Sequence, residues 1–190
     1  MRCLSLLKAL SAILLSFSLS IAAAAEIAGI KIPEHVQVGG TELVLNGAGI
    51  RSKFFIKIYA GALYLPHRAR TVSEIIKMPG PKRVAMYFLY DEVSREKLVN
   101  SWNEGFENNQ SEAQLKELQP RIEQFIKLFR AVKRGDLITI DYLPDSGNAV
   151  AFNGSEQGIV PGADFTRALL EIWLGTHPAD EDLKEDLLGK

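Results

Sequence analysis

The sequence predicts an α+β domain in which a helical layer covers one antiparallel sheet, and three observations predict it. Runs rich in alternating, β-branched and aromatic residues arrive in blocks separated by turn residues. Apolar stripes at helical spacing follow such blocks. A regular strand–helix alternation, which would build a parallel doubly wound sheet, is absent.

The first 25 residues stand apart from that domain. Arg2 and Lys8 precede an apolar run interrupted by serines, which ends in Ala23-Ala24-Ala25 before Glu26. This is the layout of a secretory signal, with cleavage expected after Ala25 and a periplasmic or secreted destination. Cys3, the only cysteine, leaves with it, so residues 26–190 form one domain whose core holds without disulfides or thiolate-bound metal. Of the 22 Lys and Arg, Arg2 and Lys8 are lost, leaving 20 against 23 Asp and Glu, a net charge of −3. That balance offers no general attraction to nucleic acid or to anionic lipid, and no membrane span is expected after cleavage.

In chain order, residues 27–33 lead into the first strands. Strands at 35–38 and 41–46 flank Gly39-Gly40, a pair suited to a tight hairpin. Residues 47–65 read as one long strand, in which Phe54, Ile56, Ile58, Ala60, Ala62 and Tyr64 alternate with Phe55, Lys57, Tyr59, Gly61, Leu63 and Leu65. A short helix at 71–77 is capped by Thr71 or Ser73 and stopped by Met78-Pro79-Gly80-Pro81. Residues 83–90 read as a largely buried central strand. From Asp91 to Ser94 a helix begins whose Leu98, Val99, Trp102 and Phe106 share a side.

Ser111 followed by Gln114 is a capping box. It opens a helix with Leu115, Leu118, Ile122, Phe125, Ile126, Phe129 and Val132 on one face and Gly135 at its close. Pro120 either starts that helix or kinks it. Strands follow at 137–143, 149–153 and 157–160. Phe165, Ala168, Leu169, Ile172 and Trp173 then mark a helix ended by Gly175, and residues 178–188 form the last one.

No phosphate loop, dinucleotide fingerprint or nucleophile elbow is present, and His35, His67 and His177 are scattered, so no cofactor and no metal site is expected. Trp102 and Trp173 lie on apolar stripes that read as core. Arg51 is the informative residue. It is a permanent cation between two glycines and an aromatic strand, either pairing with a surface carboxylate or anchoring an amphiphilic anion at the edge of an apolar wall.

Gly47-Ala48-Gly49-Ile50-Arg51, then Lys57-Ile58-Tyr59-Ala60-Gly61-Ala62-Leu63-Tyr64-Leu65, Lys133-Arg134-Gly135-Asp136 and the stretch 165–175 resemble, in order and spacing, the chalcone isomerase superfamily and its bacterial chalcone isomerase-like branch. The resemblance covers nearly all of residues 26–190. It implies an open-faced β-sandwich, a large antiparallel sheet under a helical layer, with a ligand cleft between them. In plant chalcone isomerases the arginine of Gly-x-Gly-x-Arg holds the substrate's phenolate oxygen, and Arg51 matches it. The family's threonine position holds Tyr59, the catalytic tyrosine is expected near Ser94, where this chain has none, and Thr166 keeps the Ser/Thr before the last conserved helix pattern. Fatty-acid-binding members pair an arginine and a tyrosine on the ligand carboxylate, as Arg51 and Tyr59 would.

The resemblance thus implies a binding protein for a fatty acid or similar amphiphilic carboxylate, with Arg51, Tyr59 and Thr166 as ligand-binding residues. The alternative it implies is an intramolecular lyase of the chalcone isomerase type acting on a phenolic ligand, with Arg51 catalytic.

Overall fold

The computed structural model describes residues 24–190, so the expected signal lies outside the described residues except for Ala24 and Ala25. Those two open β1 (Ala24–Ile27), which pairs with β2 (Ile30–Pro33), so the expected cleavage point falls within a strand. β3 (His35–Val38) turns through Gly39-Gly40, both with positive φ, into β4 (Thr41–Lys53). β5 (Ile56–Leu65) follows, then α1 (Val72–Lys77), whose capping box is made by Thr71 and Glu74. β6 (Lys82–Phe88) leads through β7 (Glu92–Val93) to α2 (Arg95–Asn109), α3 (Glu112–Lys127) and β8 (Val132–Lys133). The chain ends with β9 (Leu137–Leu143), β10 (Gly147–Phe152), β11 (Ser155–Val160), α4 (Ala163–Leu174) and α5 (Glu181–Leu187).

Seven strands form one antiparallel sheet in the order β11-β10-β9-β6-β5-β4-β3, with β6 at its centre as the sequence predicts. The main core lies between this sheet and the helices. There Trp102 and Phe106 of α2, Phe125 of α3, and Phe165 and Trp173 of α4 meet Phe88 and Phe152 of the sheet. Trp102 packs edge to face at 5.2 Å from Phe125 and 5.6 Å from Trp173, as the quadrupoles of aromatic rings favour, while Phe106 stacks on Phe165 at 5.6 Å. The opposite face carries a smaller cluster with Ala60, Ala62 and Tyr64, over which the β1–β2 hairpin folds. The Tyr64 hydroxyl donates to the Pro33 carbonyl at 3.0 Å. This is the α+β, open-faced arrangement the sequence predicts.

Three expectations are corrected. Residues 47–65 are not one strand. They are the end of β4, a two-residue turn at Phe54-Phe55 and β5, with Lys53 opposite Ile56. Both phenylalanines take positive φ, +50° and +65°, which closes the hairpin without the glycine or asparagine that usually signals it. The α3 helix runs through Pro120 but stops at Lys127 instead of reaching Val132. Arg95 donates to the carbonyls of Ile126 at 3.3 Å and Phe129 at 3.0 Å, satisfying the helix end, and Val132 pairs with Val93 instead. The last helix begins only at Glu181, where Asp180 caps it by accepting from Leu183 N. No helix among the described residues is long and apolar enough to cross a membrane.

Candidate functional site

Two bulges and two glycines aim Arg51. In β4 the pairing steps from Leu45 opposite Tyr64 to Gly47 opposite Leu63, leaving Asn46 as an extra residue. A one-residue shift moves every later side chain to the other face. Before it, Leu43 and Leu45 point to the outer cluster, and after it Gly47, Gly49 and Arg51 point towards the helices. Asn46 holds the bulge through both ends of its buried amide, donating to Leu187 O at 2.7 Å and accepting from Ala69 N at 2.7 Å.

The glycines are required by α5. A Cβ on Gly47 would lie 2.0 Å from Asp186 O, and one on Gly49 would lie 2.0 Å from Asp186 Oδ2, so the helix rests directly on the strand backbone. The first residue beyond them on that face is Arg51. Its neighbour Ser52 donates its N–H to the Asp180 carboxylate at 2.9 Å, tying the strand to the start of α5.

Tyr59 reaches the same place from the other strand. It is the cross-strand partner of Arg51, and the second bulge, at Ile58, turns both Ile58 and Tyr59 towards the helices. The Arg51 guanidinium carbon sits 5.7 Å from the Tyr59 ring centroid. The Tyr59 hydroxyl accepts from the indole Nε1–H of Trp173 at 2.9 Å. Burial pushes the Tyr59 phenol above its ordinary pKa, outweighing the opposing influence of Arg51, so the hydroxyl keeps its proton and can donate it.

Arg51 and Tyr59 line a small chamber, about 30 Å³, together with Trp102, Trp173, Ile172, Met86 and Phe88. Two buried N–H groups here have no partner, Nε of Arg51 and Nε1 of Trp102. Buried donors are nearly always satisfied, because an unmade hydrogen bond costs about 1–3 kcal/mol. Arg51 makes no ion pair among the described residues. The chamber lining therefore holds a cation with a free N–H of its own and one further free N–H on Trp102, and what it lacks is an acceptor with negative charge.

Outside the chamber a groove of about 390 Å³ runs from Arg51 along Phe54, Ile56, Ile58, Tyr90 and Val93. Its rim carries Lys53 and Lys97 against Glu92 and Glu104. A side recess of about 180 Å³ between Arg51, Glu104 and His177 joins the same place. Two larger hollows elsewhere, about 610 and 660 Å³, are lined by charged side chains such as Arg167, Lys184 and Arg70 and include neither Arg51 nor Tyr59.

Of the residues singled out from the sequence, the structure brings Arg51 and Tyr59 together and leaves Thr166 apart. Thr166 is buried in the first turn of α4, where its hydroxyl donates to Gly162 O at 3.1 Å, two turns before Trp173. Ser94 caps α2 by accepting from Lys97 N. Trp102 and Trp173 are core residues as read, but both also line the chamber, where the Trp173 N–H meets the Tyr59 hydroxyl. The helical stripe that revealed their burial carries no signal for where the indole nitrogens point.

Over residues 24–189 the chain matches the family model described as chalcone isomerase-like. No curated protein sequence matches it. Among solved structures, a fatty-acid binding protein of Arabidopsis thaliana is similar at 19% identity, over 84% of this chain and 92% of that one, with a TM-score of 0.64. A likeness at that identity shows a shared fold.

Proposed function

The chain belongs to the chalcone isomerase-like family, and from that premise we propose that it binds a fatty acid or similar amphiphilic carboxylate, without turnover, in the periplasmic or secreted setting to which its N-terminal signal would direct it. The carboxylate sits against the chamber, taking charge-assisted hydrogen bonds from the Arg51 guanidinium, the Tyr59 hydroxyl and the Trp102 indole N–H. The hydrocarbon tail lies outward along the groove from Ile58 to Phe54, whose volume falls within the usual range of small-molecule pockets. The observation that carries this reading is that two buried donors of the chamber's lining residues, Nε of the Arg51 cation itself and Nε1 of Trp102, have no partner. The fatty-acid binding named for the structural relative supports the same ligand class.

The intramolecular-lyase reading needs, besides an oxyanion clamp, a group that positions the attacking phenolate. The chamber supplies the clamp in Arg51, while Ser94 stands in the region of the family's tyrosine and its hydroxyl is engaged as a helix cap. Binding without turnover therefore fits this set of residues better.

Native mass spectrometry of the protein purified from its own compartment, followed by extraction, tests the proposal. The expected result is a co-purified long-chain carboxylate that Arg51→Met loses. Retention of the same lipid by that variant would overturn the assignment of Arg51.

A further inference from the structure

Among the described residues four hairpins close through two residues with positive φ, and one of them departs from the rest in chemistry. Ala28-Gly29, Gly39-Gly40 and Asn153-Gly154 each put glycine second, the residue that takes the left-handed conformation without steric cost. The β4–β5 turn puts Phe54 and Phe55 there, at φ +50° and +65°. Bulky residues in that region are outliers that persist at functional sites.

Neither ring contributes to the core, since Phe54 is 84% and Phe55 fully exposed. With Ile56 and Tyr90 they are the large apolar side chains left in solvent among the described residues, and three of the four line the groove at Arg51. Exposed Lys53 and Lys57 flank them, and neither forms an ion pair among the described residues. The tip thus reads Lys-Phe-Phe-Ile-Lys, a local positive, aromatic knob on a chain whose formal net charge is −1.

We infer that the β4–β5 hairpin tip docks this protein on an anionic phospholipid surface, with Phe54 and Phe55 entering the headgroup–acyl boundary and Lys53 and Lys57 meeting the lipid phosphates. Aromatic rings between basic residues match both layers of such an interface. A second copy of the chain fits less well, because a symmetric contact at this tip would bring its lysines against their own images. Seated in this way, the groove opens onto the membrane. The inference stands on the hairpin alone and does not require the carboxylate-binding reading.

The test is co-sedimentation of the protein, purified from its native compartment, with vesicles of phosphatidylcholine alone or mixed with phosphatidylglycerol. The wild type is expected on the anionic vesicles, with binding that falls as salt rises. Phe54→Asn with Phe55→Gly installs the favoured turn sequence and should lower partitioning about tenfold or more without lowering the unfolding midpoint. Lys53→Glu with Lys57→Glu should abolish the preference for anionic vesicles. Absence of the wild type from both vesicle types, or equal partitioning by wild type and the Asn-Gly variant, would overturn the inference. So would a concentration-dependent dimer that the Asn-Gly variant loses.

Discussion

Replacing Phe54-Phe55 with Asn-Gly should make the protein more stable. Both positions hold left-handed backbone, at φ +50° and +65°, and an L-residue with a bulky side chain gives up about 1–2 kcal/mol there. Glycine at the second position removes that term and asparagine at the first removes part of it. Against this stands the larger unfolded-state entropy of glycine, about 0.5–1 kcal/mol. Little burial is lost, since one ring is 84% exposed and the other fully so. The net expectation is a gain of about 1–2 kcal/mol, or a melting temperature higher by roughly 2–8 °C for a chain of this size.

Urea unfolding followed by tryptophan fluorescence reads this directly, because the chain's two tryptophans, Trp102 and Trp173, are both buried in the core. Gly40→Ala is the matching control. Gly40 has φ +78° and open space around its missing Cβ, so that variant isolates the backbone term and should lose about 1 kcal/mol. A midpoint for the Asn-Gly variant clearly below wild type would refute the reasoning, showing that the phenylalanines hold the hairpin together.

Asn46→Ala removes both hydrogen bonds of the buried bulge amide, leaving Leu187 O and Ala69 N unpaired. It should destabilise by about 2–5 kcal/mol in chemical denaturation. Tyr59→Phe leaves the Trp173 indole N–H without its acceptor and should destabilise by about 1–3 kcal/mol in the same assay, while also weakening carboxylate binding. Hydrogen bonds from Asn153 Nδ2 and the Lys133 N–H hold the Asp136 carboxyl below its ordinary pKa. Its stabilisation is therefore complete above the ordinary carboxylate range and lost as pH falls through the lowered value, so Asp136→Asn should flatten the acid limb of a stability–pH profile.

Much of the fold is legible in the sequence because local signals agree with tertiary structure. The Ser111–Gln114 capping box and the stripe from Leu118 to Phe125 mark α3, Gly39-Gly40 marks a hairpin, and the apolar run at 83–90 marks the central strand. The failures have a common cause in residues whose local pattern continues past a real break. Phe54-Phe55 carries no turn chemistry, so the strand pattern runs through it. Val132 sits at helical spacing from Phe129 although Arg95 has already closed the helix. A bulge adds one residue without interrupting a strand's composition, so neither Asn46 nor Ile58 announces that it rephases its strand. Arg51 and Tyr59 are legible as candidates, but their meeting comes from cross-strand pairing between β4 and β5, which a reading of 47–65 as one strand does not contain. The free N–H groups of Arg51 and Trp102 belong to three-dimensional packing alone.

The central claim is that a cationic, donor-lined chamber selects a carboxylate. Competition of a long-chain fatty acid and the fatty alcohol of equal chain length for a fluorescent fatty-acid probe tests it most directly. The two share the tail and differ in the charge that meets Arg51, where a charge-assisted hydrogen bond contributes about 1.5–3 kcal/mol, equivalent to roughly 10- to 150-fold in Kd. The wild type should show that preference for the acid, and Arg51→Met should lose it. Equal affinity for acid and alcohol in the wild type would contradict it.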